Sequence, residues 1–207
     1  NFVITIGRQI GSGGHQIGNE IAKYFNIDFY DKELIQAVSK ETGLAKEIFD
    51  EMDEKKTHSI FSNFLGLQNS VMMDQFYLCD NYLSNETLFK IQSEVIRKLA
   101  DQKSCVFVGR CADYVLKDYP RIVTIFITAD FEDRIKRIME RENLSTEKAK
   151  EYLKKMEKKR ADYYNYFSNK QWGAAASYQL CINSSALGVE KTVDYLIEFI
   201  KQKLQLE

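Results

Sequence analysis

The sequence predicts an α/β domain: a five-stranded parallel sheet with helices on both faces, carrying a helical insert and a helical lid. Three observations predict it. Short apolar runs rich in β-branched residues alternate with amphipathic helical segments, a pattern that buries a parallel sheet between helices. A glycine-rich turn follows the first run directly. The residues that end the other runs are polar, as expected where a ligand binds beyond the carboxyl ends of the strands.

Residues 2–6 read as the first buried strand, ended by Gly7. A helix over about 15–24 follows, with Ile17, Ile21 and Ala22 on one face, and then a short strand over 27–30. Asp31 is placed to cap a helix running through about residue 40. From 44 to 102 the pattern is mainly helical, interrupted near 55–58 and 66–68, and about 44–100 is assigned to the insert. Within it Val71, Met72, Met73 and Phe76 read as core or as a protein contact. Strands are expected at 104–108, ending in Gly109, and at 121–127. Charged helices over 130–141 and 146 to about 166 make up a lid region of about 130–170. A strand at 179–182 and an amphipathic helix at 189–204 close the chain. The strand ends thus bring Gly7 to Gly14, Asp31, Gly109 and Arg110, Thr128, and Asn183 to Ser185 to one edge of the sheet.

Composition narrows the function. With 207 residues, 44% hydrophobic and 13% aromatic, the chain has material for a full core. Its single proline, Pro120, leaves no Pro-rich linker, so one domain over 1–207 is the simplest reading. A net charge of −1 argues against a partner that is a nucleic-acid polymer. The apolar runs are strand-length, which argues against a membrane span, and the direct opening into a strand argues against a signal peptide. Cys79, Cys105, Cys111 and Cys181 form no CxxC pair and fall in helical or strand-like contexts, as reduced thiols of a cytoplasmic protein would. His15 and His58 lack metal-ligand spacing, so no protein-held metal is expected.

The turn Gly7-Arg8-Gln9-Ile10-Gly11-Ser12-Gly13-Gly14-His15 carries the strongest signal. Glycines let the backbone turn sharply and bring N–H groups against an anion, and the following helix adds its own free N–H groups and positive dipole end. Gly11, Ser12, Gly13, Gly14 and His15 are therefore the candidate phosphate cradle. The literal pattern GxxxxGK[ST] is not met. With Gly13 as its second glycine, Gly14 stands in the lysine position and His15 in that of the magnesium-binding Ser or Thr. A dinucleotide GxGxxG from Gly11 fails at Gln16, although Gly7, Gly11 and Gly13 with Tyr166 and Lys170 match short-chain dehydrogenase spacing.

Several segments, in order, resemble the cytidylate kinase-like branch of the nucleoside monophosphate kinases. Ile4 to His15 resembles that family's first strand and P-loop, and Phe29 to Leu34 its segment beside the monophosphate site. Val108-Gly109-Arg110-Cys111 is similar to its Asp-Gly-Arg-Asp, and Thr128 to Arg134 to its Thr-Ala-Ser-x-Glu-x-Arg at the start of the lid. Lys159-Arg160-Ala161-Asp162 is similar to its Arg-Arg-Asp closing the lid, and Ile182 to Ser185 to its Ile-Asp-Thr-Ser. Cys111 departs from the aspartate that helps the family recognise cytidine nucleotides. The resemblance implies a P-loop fold, ATP as donor, Mg2+ carried on the phosphates, and a small nucleotide, CMP-like, as acceptor. It implies acceptor contacts from Asp31, Arg110 and Asp162.

Arg134, Arg137 and Arg141 recur at helical spacing, and Lys158, Lys159 and Arg160 follow on the next helix. As a solvated face they would pair with Glu140, Glu142 and Glu147. As a lid they would bring guanidinium forks onto transferring phosphates, whose dispersed charge is the main target of catalysis. Arg134, Arg137 and Arg160 are the catalytic candidates there, and Arg8 is the candidate to replace the absent lysine from inside the turn. Tyr163, Tyr164, Tyr166, Phe167 and Trp172 read as packing at the lid base. Three functions remain open: a nucleotide kinase-like phosphotransferase, a degenerate module that binds nucleotide without turnover and, as the minor alternative, a short-chain dehydrogenase-like oxidoreductase.

Overall fold

The computed structural model describes residues 1–32, Ile35 and residues 85–206. Two compact units divide the chain: Asn1–Lys32 with Leu99–Glu207, and Glu33–Lys98.

In the first unit, β1 (Val3–Arg8) pairs in parallel with β3 (Cys105–Val108) on one side and β4 (Ile122–Thr128) on the other. Next to β3 lies β2 (Asp28–Tyr30), and next to β4 lies β5 (Leu180–Asn183). All pairings are parallel, and the strand order is β2-β3-β1-β4-β5. The register sets Ile4 between Val106 and Val123, and Ile6 between Val108 and Ile125. Because side chains alternate along a strand, these residues share one face of the sheet.

That face is covered by α1 (Gly14–Phe25) through Ile17, Ile21 and Ala22, and by α6 (Ser184–Leu204) through Leu196, Ile197, Ile200 and Leu204. Each such side chain contributes roughly 1.5–3 kcal/mol on burial, which anchors both helices that start beside the glycine turn. On the opposite face the Phe126 ring meets Tyr178 at 4.8 Å and Trp172 edge-on at 5.2 Å, while Phe107 stacks on Tyr30 at 5.4 Å. The remaining described helices are α2 (Asn85–Gln102), α3 (Ala112–Val115), α4 (Phe131–Glu142) and α5 (Thr146–Ser168). A second apolar cluster joins Ile135 and Ile138 of α4 to Ala149 and Leu153 of α5, with Ile10 of the glycine turn inserted among them. Within the described part of the second unit, Arg97 donates to Glu94 at 2.7 Å. Among the described residues no helix is long and apolar enough to cross a membrane.

Three expectations change. β1 does not end before Gly7, because Gly7 and Arg8 continue the ladder beside Phe126 and Ile127. The closing helix starts at Ser184 rather than 189: Asn183 caps it by accepting from the Ser185 amide at 2.9 Å, and the chain is interrupted inside it only at Gly188, where φ is 77°. Cys111 lies not in a helix or strand but in a left-handed turn at φ 55°. The expected helix through residue 40 lies largely, and Val71, Met72, Met73 and Phe76 wholly, outside the described residues.

Candidate functional site

The glycine turn sorts its backbone groups. Gly11 and Gly13 both take left-handed conformations, with φ 75° and 78°. Its carbonyls are held by the protein: Arg8 O accepts from Arg160 Nη1 at 2.9 Å, and Gln9 O from the Ser12 hydroxyl at 2.9 Å. Gly11 O accepts from Arg137 Nη1 at 2.9 Å, Ser12 O from the buried Ser184 hydroxyl at 2.7 Å, and Gly13 O from the Ile17 amide at 2.9 Å. Among the described residues, the amides of Gly11, Gly13 and His15 donate to no protein acceptor. Carbonyls turned into the scaffold and amides left free at a helix N-terminus form an anion-binding concavity. Space enforces the glycines too. A Cβ at Gly11 would come 2.8 Å from Arg134 O, and one at Gly13 3.2 Å from Val189 Cγ2.

Arg8 occupies the room beside the cradle. A Cβ at Gly14 would lie 2.6 Å from Arg8 Cβ and 3.0 Å from Cγ, and one at Gly109 would collide with the Arg8 guanidinium. The Arg8 side chain therefore runs from the end of β1, past the first residue of α1, to the end of β3. Burial first, and then the like charge of Arg8, hold the Arg160 guanidinium well below the ordinary arginine value, with Arg141 adding to the repulsion and Tyr152 and Glu157 opposing it. Two guanidinium groups gathered at one edge favour an anion, which would relieve that repulsion.

The charged helices depart from simple surface pairing. Arg141 pairs with Glu142 at 2.8 Å, but Arg134 of α4 forms its ion pair with Glu157 of α5, across helices rather than along one. Arg134 is only 4% exposed and its guanidinium also covers the Phe131 ring at 5.5 Å. Arg137 and Arg160 are the members of the group whose guanidinium groups donate to the cradle's backbone carbonyls.

On the β3 side, Gly109, Arg110 and Cys111 are all left-handed, with φ 84°, 59° and 55°. Left-handed non-glycine residues cost of order 1–3 kcal/mol each and persist only where their surroundings hold them. The Arg110 guanidinium lies 5.6 Å from the Tyr163 ring centroid. Asp31, just past β2, pairs with His15 Nε2 at 3.0 Å, and the His15 ring meets Phe29 edge-on at 5.1 Å. His15 is thereby oriented although its side chain is 63% exposed. Asp162 lies exposed on α5.

The lid-base aromatics divide. Tyr164 is buried and donates to Asp113 at 2.7 Å, Trp172 packs on Phe126, and Tyr166 is 64% exposed. Sequence reasoning missed Gln9, whose side-chain oxygen accepts from the Ala129 amide at 3.3 Å, and Glu157. It reached the Ile182 to Ser185 stretch without the role of Ser184 in holding Ser12. The dehydrogenase alternative fails on topology. A dinucleotide-binding sheet places its second strand beside the first, whereas here β3 lies there.

The cytidylate kinase-like family matches over residues 3–186. Among solved structures the chain is similar to an uncharacterized protein from Eubacterium ventriosum ATCC 27560, at 28% identity and a TM-score of 0.73, covering 97% of this chain and 99% of that one. It is similar in fold to shikimate kinase from Bacteroides thetaiotaomicron, at 14% identity, TM-score 0.52 and coverage of 97% and 98%. Shikimate kinase from Acinetobacter baumannii, in complex with shikimate, gives 13%, 0.51, and coverage of 97% and 92%. No curated protein sequence matches the chain.

Proposed function

The chain belongs to the cytidylate kinase-like family, and on that premise we propose that it transfers the γ-phosphoryl group of ATP to a small nucleotide-like acceptor, CMP being the first to test. The observation that carries this reading is the sorting of the glycine turn: the carbonyls of Arg8, Gln9, Gly11, Ser12 and Gly13 are bound by protein donors, and the amides of Gly11, Gly13 and His15 have no acceptor among the described residues. Those amides would hold the donor's β- and γ-phosphates. Mg2+ would arrive on the phosphates and neutralise part of their charge; His15 and Asp31, which orient each other, are polar side chains that suit its hydration shell.

Arg8 would supply the charge that a lysine supplies in the common pattern, because its stem fills the space beside Gly14. Arg160 would join it on the transferring group, and Arg137 would steady the cradle through Gly11. Arg134 would reach phosphate only by exchanging Glu157 for it. Arg110, Asp31 and Asp162 would receive the acceptor, with the Arg110 fork suited to a phosphate. Phosphoryl transfer needs mainly positioning and charge, and these residues offer both.

A second reading, nucleotide binding without turnover, is favoured by Gly14 and His15 standing where the common pattern has lysine and Ser or Thr. A panel of nucleoside triphosphates and monophosphates, followed for thermal stabilisation and for ADP release, separates the two. Stabilisation by ATP with ADP released in the presence of a monophosphate supports transfer. Stabilisation alone selects the binding module, and no stabilisation by any nucleotide sinks both.

A further inference from the structure

The turn that carries Arg110 and the middle of α5 are joined by contacts that phosphate binding does not require. Asp113, on α3, is 8% exposed, and its carboxylate accepts from the Tyr164 hydroxyl at 2.7 Å. The preceding residue of α5, Tyr163, puts its ring beneath the Arg110 guanidinium. Four residues before Tyr164, and so one turn back along the same face of the helix, Arg160 holds Arg8 O. Tyr164 also stacks on Tyr178 at 6.1 Å, and the Tyr178 hydroxyl lies 3.2 Å from where a Cβ on Gly7 would stand. Residues 160 to 164 of one helix thus grip both the start of the cradle and the left-handed turn at Gly109, Arg110 and Cys111.

We infer that Asp113 and Tyr164 are a positioning pair: their hydrogen bond holds the strained turn against α5 and so sets the Arg110 guanidinium for the acceptor's phosphate. The inference rests on the phosphotransfer reading for its ligand and on the geometry for its mechanics. A left-handed arginine relaxes unless its neighbours are fixed. On the turn's C-terminal side the fixing contacts are the bonds of α3 to Gly109 O and Cys111 O, and the Asp113–Tyr164 bond that ties α3 to α5. Burial pushes the Asp113 carboxyl up, and the Tyr164 hydroxyl opposes that shift.

The test uses the full chain as wild type, Tyr164→Phe and Asp113→Asn. The first variant removes one hydroxyl and keeps the ring; the second keeps an oxygen that accepts from Tyr164. With ATP as donor and CMP, AMP and UMP as probes, Tyr164→Phe should raise the KM of the monophosphate about tenfold or more, with kcat and the KM for ATP changed less than about twofold. Asp113→Asn, which keeps the acceptor for the Tyr164 hydroxyl, should hold the monophosphate KM close to that of wild type. Hydrogen exchange at the amides of Arg110, Cys111 and Ala112 should quicken in Tyr164→Phe, with those of Val3 to Ile6 unchanged. An unchanged monophosphate KM in an active enzyme overturns the inference, and so does a parallel loss of kcat, both KM values and β1 protection, which marks a merely structural contact. If the wild type releases no ADP with any probe, the phosphotransfer reading is what has failed. Exchange then decides the pair's hold on the turn, and unchanged rates at Arg110 to Ala112 overturn that as well.

Discussion

The stem of Arg8 stands where a side chain on Gly14 would have to begin, 2.6 Å from the Cβ position. The two residues are alternatives for one volume. Side-chain atoms on both residues would have to shift to share it.

The first prediction follows from that exclusion. Gly14→Lys should destabilise the fold by about 1–3 kcal/mol, the usual cost of forcing extra atoms into a packed site. Arg8→Gly combined with Gly14→Lys should recover some of what Gly14→Lys loses alone, because the Cβ and Cγ of Arg8 that collide have both gone. Urea unfolding of the three variants checks it; additive effects in the double variant would show that the residues do not share the space.

Arg8→Ala alone should slow phosphoryl transfer by roughly two orders of magnitude, about 2.7 kcal/mol of barrier. ATP affinity should change little, since the amides of Gly11, Gly13 and His15, which have no acceptor among the described residues, are untouched. Single-turnover kinetics beside ATP calorimetry separate the effects. An active protein indifferent to the change would shift the burden to Arg160 and Arg137.

Arg110→Ala should weaken binding of the acceptor monophosphate by about 1.5–3 kcal/mol, the range of a charge-assisted bond, and leave ATP binding intact. Unchanged acceptor affinity with a large loss of stability would make Arg110 a structural residue of its turn.

Ser184→Ala removes the donor that satisfies the buried Ser12 carbonyl. Leaving that carbonyl unpaired should cost about 1–3 kcal/mol of stability, and the loosened turn should bind ATP more weakly. Denaturant midpoints and calorimetry measure both; a neutral variant would mean that another group takes over Ser12 O.

Burial raises the Asp113 carboxyl above its ordinary 3.8. Below that pH both folded and unfolded chains carry the proton. Above it the unfolded chain releases its proton first, so this group's contribution falls with rising pH until the folded carboxyl also ionises. Asp113→Asn lacks that loss, and it should be more favourable relative to wild type at pH 8 than at pH 4. Equal differences at both pH values would show that Asp113 does not couple to stability in this way.

The sheet, its parallel sense and the glycine turn were legible in the sequence because they follow from local order. Apolar runs of strand length announce buried strands, and glycines between a strand and a helix announce a turn with left-handed backbone. The arginines were legible as a group, but their partners were not. Helical spacing on α4 and α5 suggested pairs along one helix, whereas Arg134 found Glu157 across the helix pair. Arg137 and Arg160, likewise, meet backbone carbonyls of a turn more than a hundred residues away in sequence. Asp113 gave no signal at all, since a lone carboxylate on a four-residue helix looks like a surface group until Tyr164 buries it.

The sequence by itself determined that the backbone after β1 turns through left-handed conformations at Gly11 and Gly13, since glycine alone adopts them without steric cost. Tertiary structure alone decided which arginines gather at the glycine turn and what Arg110 packs against. A long arginine side chain has many conformers in sequence and acquires one only from what it packs against. For Arg8 these include the bare faces of Gly14 and Gly109, and for Arg110 the Tyr163 ring on α5.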